Sequence, residues 1–328
     1  MKIKIGIIGA GGIARTHVAA LRELEQVRIS GIHDVQADRA RELAEECGAN
    51  AYTDLDDLIA SSDAVYILTP PSTRRSIALR VASAGKPMFI EKPVAVSLED
   101  AEAIEEACRK AGVPAMVGFN MRYRAGYRHL KNLIESGDLG DVISLWSHRI
   151  DRMWPGSSWR TDPRFVCGMT IESLSHDIDM FRWLCGEVVN VSASVVSTRH
   201  DLPGFDDNVN VLLTLQGGAT AVIQASLSAH LNLNNRGVIG TRGTAMLTGS
   251  GTWHYDRLVY RTADMEEARE DPLDDPLDVR SYRAIGEHFV ESLLGGVSPA
   301  VTLQDGIIAL RVAHAIHESS RRKSVIDL

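Results

Sequence analysis

Cysteine is scarce in this chain of 328 residues, and the four that occur are far apart, with no CxxC pair: Cys47, Cys108, Cys167 and Cys185. This spacing is typical of neither a zinc knuckle nor the disulfide framework of a small secreted protein. Separate thiols are compatible with a reducing compartment, so we expect a cytoplasmic protein.

The chain also lacks a cationic excess and a long apolar run. It carries 35 basic and 43 acidic residues, a formal net charge of -8, so no positive field attracts a polyanion and we expect no nucleic-acid partner. The apolar run at the N-terminus is too short to cross a bilayer, and the glycines inside it favour a turn over a signal-peptide core. No membrane partner is expected either.

The composition is otherwise that of an ordinary globular protein, with 45% hydrophobic and 24% charged residues, and the length predicts two domains of about 150 residues each. Residues 1–121 alternate helical patterns with short apolar runs, which predicts a doubly wound α/β domain with a parallel sheet. The strand candidates are KIKIGIIG, VRISGIHD, DAVYILT, PMFIE and PAMVGF.

Residues 122–328 predict a second, α+β domain with a large, open, mainly antiparallel sheet. A helix over 123–136, a strand and a helix over 171–185 precede neighbouring antiparallel strands, with hairpin turns at Gly217-Gly218 and at 241–243. The acidic segment 264–278 predicts an exposed loop, and helices over 281–294 and 303–321 close the chain. One apolar strand face needs cover from helices or from another subunit, which predicts a homo-oligomer: Val209, Val211, Leu213 and Leu215.

A glycine-rich segment follows the first strand candidate and opens a helix: Gly9, Ala10, Gly11, Gly12, Ile13 and Ala14. This is the GxGxxG/A pattern in its dinucleotide-binding context, although a glycine turn without a ligand is the alternative. Gly9 permits the tight turn, Gly11 lets the backbone approach a pyrophosphate, and Ala14 allows close packing of helix and strand. The helix N-terminus supplies free N–H groups for an anion.

Asp34 ends the second strand candidate, 20 residues beyond Ala14. A dinucleotide fold places an acid there to accept hydrogen bonds from the ribose hydroxyls, and the same acid repels a 2′-phosphate. We therefore expect NAD in preference to NADP, although Arg15 and Arg39 are close enough in sequence to weaken the preference. The alternative role for Asp34 is an N-cap for a helix beginning at Val35.

Glu91 ends the strand candidate PMFIE and Lys92 follows it, where the ends of parallel strands line a ligand crevice. An exposed turn lysine is the alternative. Farther along, a helical wheel at about 100° per residue puts Glu172, His176 and Asp179 on one face, with methionines and a tryptophan beside them. These apolar neighbours indicate burial rather than a solvated polar face, and a buried Glu and His must pair or serve a ligand.

An ordered set of motifs spans nearly the whole chain: GIIGAGGIA, Thr69-Pro70-Pro71, AGKPMFIEKPVA, VGFNMRY, SGDLGDV, WRTDP at 159–163, ESLSHDID at 172–179, GTRGTAML and DGIIALRVAHAIHESS. In these the chain resembles the glucose-fructose oxidoreductase, inositol dehydrogenase and rhizopine-catabolism family (Gfo/Idh/MocA). The resemblance implies an N-terminal Rossmann domain, a C-terminal domain with an open sheet, and NAD(P)-dependent oxidation or reduction of cyclic polyols and sugars.

The same resemblance implies roles for individual residues. Lys92 matches the lysine beside the reacting hydroxyl, His176 matches the acid/base histidine, and Glu172 stands where many members carry Asp. On the cofactor side lie Thr69, Pro70, Glu91, Lys92 and Asn120, and on the substrate side Arg122, Trp159 and Arg160. For Asn120 and Arg122 a position on the surface is equally compatible with the sequence. For Trp159 the alternative is a purely structural role.

The chemistry assigns His176 as the base that takes the hydroxyl proton, since a neutral imidazole accepts a proton near neutral pH, and Lys92 as the donor to the substrate oxygen. The two roles reverse if burial and the oxidised nicotinamide lower the pKa of Lys92 enough. Glu172 is expected to orient His176. No third ligand accompanies Glu172 and His176, so no metal is expected. Arg74 departs from the family, which often has His there, and this predicts an unusual substrate side.

The leading hypothesis is an NAD-dependent dehydrogenase for a secondary alcohol of a cyclitol or sugar, assembled as a homodimer or homotetramer. One alternative is a relative that cleaves or epimerises glycosides through transient oxidation and recycles NAD. Another is a non-catalytic, NAD-binding regulator of the same fold.

Overall fold

A computed structural model describes residues 2–152, 158–251, 254–275, 279–295 and 297–328. The chain divides into an N-terminal unit, Met1–Asn120 with Asp278–Leu310, and a C-terminal unit, Met121–Leu277 with Arg311–Leu328. The sequence predicts a single division between residues 121 and 122. The structure differs because the chain returns to the N-terminal unit at residue 278.

The N-terminal unit alternates strands and helices along the chain: β1 Ile3–Ile8, α1 Gly12–Arg22, β2 Val27–His33, α2 Ala37–Cys47, β3 Asn50–Tyr52, α3 Leu55–Ser61, β4 Ala64–Ile67, α4 Arg74–Ser83, β5 Met88–Ile90, α5 Leu98–Ala111 and β6 Ala115–Val117. Every residue of β4 and β5 is buried, as expected of strands covered on both faces. The sequence pattern predicts each strand except β3, whose three residues are too few and too exposed to give a pattern.

The six strands form one sheet in the order β3-β2-β1-β4-β5-β6, and every neighbouring pair is parallel. The predicted doubly wound fold is therefore confirmed. Strand β1 pairs with β2 on one side and with β4 on the other, so the strand order reverses there. Ligands of such sheets bind beyond the carboxyl ends of the strands at this reversal, which here means after Ile8 and Ile67.

Beyond residue 120 the chain continues with α6 Ala125–Glu135, β7 Val142–Arg152, α7 Gly168–Glu172, α8 Ser175–Cys185, β8 Val188–Val196, β9 Asn208–Leu215, β10 Thr220–Ser226, β11 Ser228–Gly240, β12 Gly243–Thr248, β13 Tyr255–Thr262, β14 Arg269–Asp275, α9 Val279–Leu293, α10 Leu303–Arg322 and β15 Ile326–Asp327. Helix α9 packs against α1. The Val117 N–H donates to the Val301 carbonyl at 3.1 Å, and Gly306 lies against Val94. These contacts place residues 278–310 in the N-terminal unit.

The C-terminal unit is built on a nine-stranded sheet in the order β14-β13-β12-β11-β7-β10-β9-β8-β15. All of its pairs are antiparallel except β7 with β10. The predicted open, mainly antiparallel sheet is confirmed. One detail is wrong: β10 and β11 are not neighbours, because β7 lies between them. The predicted hairpin at Gly217 and Gly218 joins β9 to β10, and both residues have φ above +90°.

Two local predictions are wrong. The acidic segment 264–278, predicted as a loop, contains β14, which pairs with β13 at the edge of the sheet. An edge is where a sheet tolerates Pro272. The helix predicted over 171–185 begins at Gly168 and is interrupted after Glu172, where the N–H groups of Ser173 and Leu174 both donate to the Met169 carbonyl. Part of the polar loop that precedes α7, residues 153–157, lies outside the described residues.

Each unit buries an apolar core of its own. The sheet face carrying Val209, Val211, Leu213 and Leu215 is at most 3% exposed, so the chain itself covers the face predicted to need cover. In the part of the chain that the structure describes, no helix has the length and apolar character needed to span a membrane.

Candidate active site

The glycine-rich loop connects β1 to α1. Gly9 has φ +97°, and a Cβ there would lie 3.0 Å from the backbone carbonyl of Leu68 and 3.1 Å from the N of Thr69. Only glycine permits both this backbone conformation and this approach to the end of β4. A Cβ at Gly11 or Gly12, in contrast, meets nothing within 4 Å. The loop therefore leaves open space beside its backbone, where a pyrophosphate fits.

Helix α1 starts at this loop without a side-chain cap and with no acidic residue in its first turn. By comparison, α5 is capped by Ser97, whose Oγ accepts from the Asp100 N–H at 3.1 Å. The first N–H groups of α1 are thus not used by a cap, and Ala14 is fully buried against the strand. An uncapped helix start with a positive dipole end is suited to bind phosphate.

Asp34 holds the loop from the neighbouring strand. Its Oδ2 accepts from the Ala10 N–H at 2.7 Å and its Oδ1 from the Gln36 N–H at 2.8 Å. Helix α2 begins at Ala37 with Gln36 as N-cap residue, so Asp34 is not the cap. Each carboxylate oxygen retains a lone pair for a ribose hydroxyl. Arg15 is held by ion pairs with two acids of α2, Glu42 and Glu46, whereas Arg39 is exposed.

Glu91 is buried beneath Lys92. Its Oε1 bonds His17 Nε2 at 2.8 Å, and its Oε2 accepts from the Lys92 N–H at 3.0 Å. Burial opposes ionisation of Glu91, but the hydrogen bond from His17 and the charges of His17, Lys92 and Arg74 hold its pKa below the ordinary value. Glu91 is therefore an ionised group that fixes the backbone at Lys92.

Arg74 lies 3% exposed at the start of α4. Its Nη1 donates to the carbonyls of both Glu91 and Pro93, the two residues that flank Lys92. Its Nε and Nη2 donate to the Thr69 carbonyl at 2.9 and 2.7 Å. The departure at position 74 is thus a clamp on the backbone around Lys92.

Asn120 is 2% exposed, and its Nδ2 donates to Ser281 Oγ at 3.1 Å. The surface alternative for Asn120 is therefore wrong. Thr69 Oγ1, at the end of β4, accepts from Thr73 Oγ1 at 2.9 Å, and Pro70 precedes the short 3₁₀ turn Pro71–Thr73. The N-terminal unit thus brings together Gly9 with Thr69, Asp34 with the glycine-rich loop, and Glu91 with Lys92.

In the C-terminal unit the predicted acid and base lie on two helices. Glu172 ends α7 and His176 lies in the first turn of α8, and they are 7% and 6% exposed. The predicted burial is confirmed, and a solvated polar face is excluded. Glu172 Oε1 accepts from Arg160 Nη2 at 2.8 Å, and the Arg160 guanidinium stacks on the Trp159 ring at 4.6 Å. Trp159, Arg160 and Glu172 therefore form one group.

Arg122 and Asp179 form a nearly buried bidentate ion pair, with Nε to Oδ2 at 2.9 Å and Nη2 to Oδ1 at 2.5 Å. This geometry is the strong form of an Arg–carboxylate pair. The surface alternative for Arg122 is wrong, and much of its donor fork is used by Asp179, a few residues after His176 in α8.

Sequence reasoning missed the polar cluster around Asp177, the residue after His176. This carboxylate is fully buried and bonds Ser147 Oγ, Arg149 Nη1 and Arg236 Nε at 2.6, 2.7 and 3.1 Å. Burial opposes its ionisation, but the charges of Arg149 and Arg236 hold its pKa below the ordinary value. The signal was present in β7, where strand alternation puts Ser147 and Arg149 on the same buried face as Leu145.

Comparison with known proteins identifies the family. Residues 3–119 match the model "Oxidoreductase family, NAD-binding Rossmann fold", and residues 127–246 match the "GFO/IDH/MocA C-terminal domain". Myo-inositol 2-dehydrogenase of Thermotoga maritima is 29% identical over 99% of this chain and 98% of its own. Inositol 2-dehydrogenase of Burkholderia multivorans is 33% identical over 75% of this chain and 74% of its own.

A crystal structure of aldose-aldose oxidoreductase from Caulobacter crescentus, complexed with glycerol, superposes with a TM-score of 0.89 at 27% identity, covering all of both chains. The chain belongs to the Gfo/Idh/MocA oxidoreductase family. It is an NAD-dependent oxidoreductase that acts on CH–OH groups, so the predicted family, cofactor and enzyme class are confirmed.

Proposed function

We propose that this protein oxidises a secondary alcohol of a cyclitol or sugar derivative with NAD as acceptor. One observation carries the proposal: Lys92 follows a buried, ionised Glu91 and is clamped at both flanking carbonyls, in a chain that also keeps a buried His176. Both residues match the family's catalytic pattern, and the myo-inositol 2-dehydrogenase of Thermotoga maritima is similar over nearly the whole chain. The proposal therefore unites the local geometry with the likeness in sequence.

The open backbone at Gly11 and Gly12, the uncapped start of α1 and the Asp34 carboxylate fit the pyrophosphate and ribose of NAD. Bound at these residues, NAD would supply the acceptor for the hydride of the alcohol carbon. Thr69, Pro70 and Asn120 complete the proposed cofactor contacts. Among them, Thr69 is fixed by the Arg74 guanidinium and by Thr73.

The protein's own part in the chemistry is to move a proton. Loss of hydride from an alcohol gives a carbonyl only if the hydroxyl proton also leaves, so a base must lie within about 3 Å of that oxygen. His176 is assigned this role. Lys92 donates a hydrogen bond to the same oxygen and stabilises the negative charge that develops on it.

Glu172, Trp159 and Arg160 serve the substrate in this proposal. The Trp159 ring offers an apolar face for a sugar ring, and the Arg160 guanidinium offers donors for hydroxyls. Glu172 balances the Arg160 charge through their 2.8 Å hydrogen bond, and its orientation of His176 stays a prediction. Arg122 acts on the substrate side together with the Asp179 carboxylate that binds it.

A substrate panel tests the proposal. The purified protein is incubated with NAD and inositols, aldoses, uronates or glycosides, and NADH absorbance is followed together with product analysis. NADH that accumulates with an oxidised product supports a dehydrogenase. A changed product without net NADH indicates glycoside cleavage or epimerisation with recycled NAD, and NADH binding without any conversion indicates a regulator.

We also propose that the chain is a homo-oligomer, a dimer or tetramer, that joins through the outer face of the nine-stranded sheet. Apolar side chains on that face are 40 to 46% exposed, although the sheet's other face is covered: Leu212, Val222 and Ile239. Leu212 and Val222 are directly opposite each other on β9 and β10, so the exposed groups are contiguous. Contiguous exposed apolar surface is typical of an interface.

A cytoplasmic location is proposed as well. All four cysteines are free thiols, and Cys108 and Cys185 have pKa values raised by burial to about 11, which makes them poor thiolates. Cell fractionation with an antibody to the chain tests the location.

A further inference from the structure

The two helices that carry Glu172 and His176 are joined by an interruption of the helical backbone. Helix α7 ends at Glu172, α8 begins at Ser175, and Ser173 and Leu174 lie between them. An interrupted helix does not fix the relative position of two side chains as a continuous helix does, since at the break the Leu174 N–H donates to the Met169 carbonyl, five residues back, in place of a regular i to i−4 bond. Contacts from another element must hold the two ends.

Arg149 of β7 supplies these contacts. Its Nη1 donates to the Ser173 carbonyl at 2.8 Å and to Asp177 Oδ2 at 2.7 Å, and its Nη2 donates to Ser173 Oγ at 2.8 Å. Ser173 is the chain neighbour of Glu172, and Asp177 is the chain neighbour of His176. One guanidinium therefore fastens both sides of the interruption, at the residues adjacent to the proposed acid and base.

The Asp177 carboxylate is fixed from its other side too. Oδ1 accepts from Ser147 Oγ at 2.6 Å and from Arg236 Nε at 3.1 Å, and Arg236 is itself held by Asn234 Oδ1 at 2.6 Å. Asp177 and Arg236 are 0% exposed and Arg149 is 4% exposed. Planar guanidinium groups with several donors in fixed geometry lose little freedom when they bind a carboxylate, so the sheet gives α8 a rigid support.

We propose that Arg149 is a positioning residue of the reaction, which holds His176 at the substrate oxygen by fastening Ser173 and Asp177 across the break between α7 and α8. The inference rests on the proposed function, because it acts through His176. Arg149 itself is not assigned to substrate or cofactor. A shift of about 1 Å in a catalytic group reduces the rate by up to about 100-fold, so the loss expected on removing the clamp is about 10- to 100-fold in kcat.

The test compares Arg149→Met with the wild-type protein, using the panel alcohol that gives the fastest formation of NADH. We expect kcat to fall about 10- to 100-fold while KM and the Kd for NADH stay within about threefold. The matched control is Arg199→Met, which removes a partly exposed arginine paired with an exposed Asp201 in the same unit, and it should leave kcat and Tm near wild type.

A second variant separates positioning from folding, because Arg149→Met removes the buried donors to Ser173 and Asp177 and so lowers Tm. Arg149→Lys keeps a cation beside Asp177, so Tm should lie nearer wild type. Its single ammonium lacks the planar donor fork that holds Ser173 and Asp177 together, so kcat should stay low. Recovery of kcat together with Tm would overturn the inference, since the clamp would then serve stability alone. So would a kcat of Arg149→Met within threefold of wild type.

His176→Ala distinguishes this inference from the proposed function. If Arg149 acts through His176, the double variant Arg149→Met/His176→Ala is no slower than His176→Ala alone. Multiplication of the two losses would overturn the inference and leave the proposed function intact. Near-native turnover of His176→Ala would overturn the proposed function, and the positioning role with it.

Discussion

At the residue scale, the proposal assigns His176 and Lys92 different roles because a neutral imidazole can accept a proton, whereas a lysine ammonium can only donate. In model peptides imidazole titrates near 6.5 and a lysine amine near 10.4, so at neutral pH the histidine accepts a proton and the lysine donates a hydrogen bond. Glu91 supports this division, since its ionised carboxylate holds the backbone at Lys92 rather than taking part in proton transfer. Substitutions of His176 and of Lys92 are therefore expected to remove different contributions to the reaction.

His176→Ala should lower turnover about 10²- to 10⁴-fold, the usual size of a lost acid–base contribution. NADH affinity should stay nearly unchanged, because the cofactor-binding loop belongs to β1 and α1. Lys92→Ala should be at least as damaging. Steady-state rates on the identified substrate and fluorescence titration with NADH measure both effects, and near-native turnover in both variants would place the chemistry elsewhere.

Asp34 sets the cofactor preference at the same scale. Its two oxygens are held by the N–H groups of Ala10 and Gln36, so the carboxylate is fixed where a 2′-phosphate of nearly two negative charges would meet it. Like charges about 4 Å apart repel by about 4 kcal/mol at an effective dielectric of about 20, which predicts NADH binding at least about tenfold tighter than NADPH.

Asp34→Asn should bring the two affinities within about threefold, since the amide keeps an acceptor and loses the charge. Asp38→Asn, an exposed acid of α2 paired with Arg41, is the matched control and should preserve the preference. Binding titrations with both reduced cofactors decide the matter. Comparable NADPH binding by the wild-type protein would show that an arginine such as Arg39 overrides Asp34.

At the scale of elements, Arg74 joins the end of β4, the start of α4 and the segment after β5. Replacing it by Met removes the donors to the carbonyls of Thr69, Glu91 and Pro93 in a site that is almost fully buried. Each unsatisfied buried carbonyl costs about 1 to 3 kcal/mol.

Arg74→Met should therefore lower the free energy of unfolding by several kcal/mol and reduce kcat, because Lys92 lies between two of the freed carbonyls. The neighbouring Arg75→Met, which breaks exposed ion pairs with Glu99 and Asp100, should cost at most about 1 kcal/mol. Urea unfolding and steady-state kinetics measure the two variants. Equal effects would contradict a clamp at Arg74.

The helices and strands also show how much of the fold can be predicted from the sequence. Strands such as β4 and β5 are predictable because every position is apolar, and the glycine-rich loop because backbone conformation at Gly9 restricts the residue type. Strand β14 is not predictable in this way because it contains acidic residues and Pro272, and a sheet tolerates such a proline only at its edge. The break after Glu172 is spanned by hydrogen bonds from Arg149, a residue more than twenty positions away, and a helical wheel contains no such contact.

The residues of the candidate site also divide into those that the sequence predicts and those that it does not. Residue types with a fixed local context, such as Asp34 at a strand end and Lys92 after Glu91, are found from the sequence. The partners of these residue types are not found from the sequence, because they come from separate segments that pack together. Examples are Arg160 for Glu172, Asp179 for Arg122, and Arg74 for the carbonyls beside Lys92. The sequence predicts an unusual substrate side from Arg74, whereas the Arg74 guanidinium donates to the backbone carbonyls of Thr69, Glu91 and Pro93.

For the whole molecule, the central question is what covers the outer face of the nine-stranded sheet. Its inner face is covered by the chain, since Val209 and Leu213 are fully buried, while Leu212 and Val222 between and beside them remain 46% and 41% exposed. A stable interface buries about 800 Å² per partner, which a sheet of this width can supply. The outer face of this mainly antiparallel sheet thus exposes the apolar pair Leu212 and Val222, which a second copy would cover.

Light scattering at micromolar concentration should therefore show a dimer or tetramer. Leu212→Asp puts a charge at the centre of the proposed interface, where an unpaired buried charge costs several kcal/mol, so this variant should shift toward monomer while keeping NADH affinity. Leu294→Asp, which changes a leucine that is 64% exposed in the N-terminal unit, is the control and should keep the wild-type mass. A monomeric wild-type protein, or a Leu212→Asp variant of unchanged mass, would show that the outer face is not where subunits join.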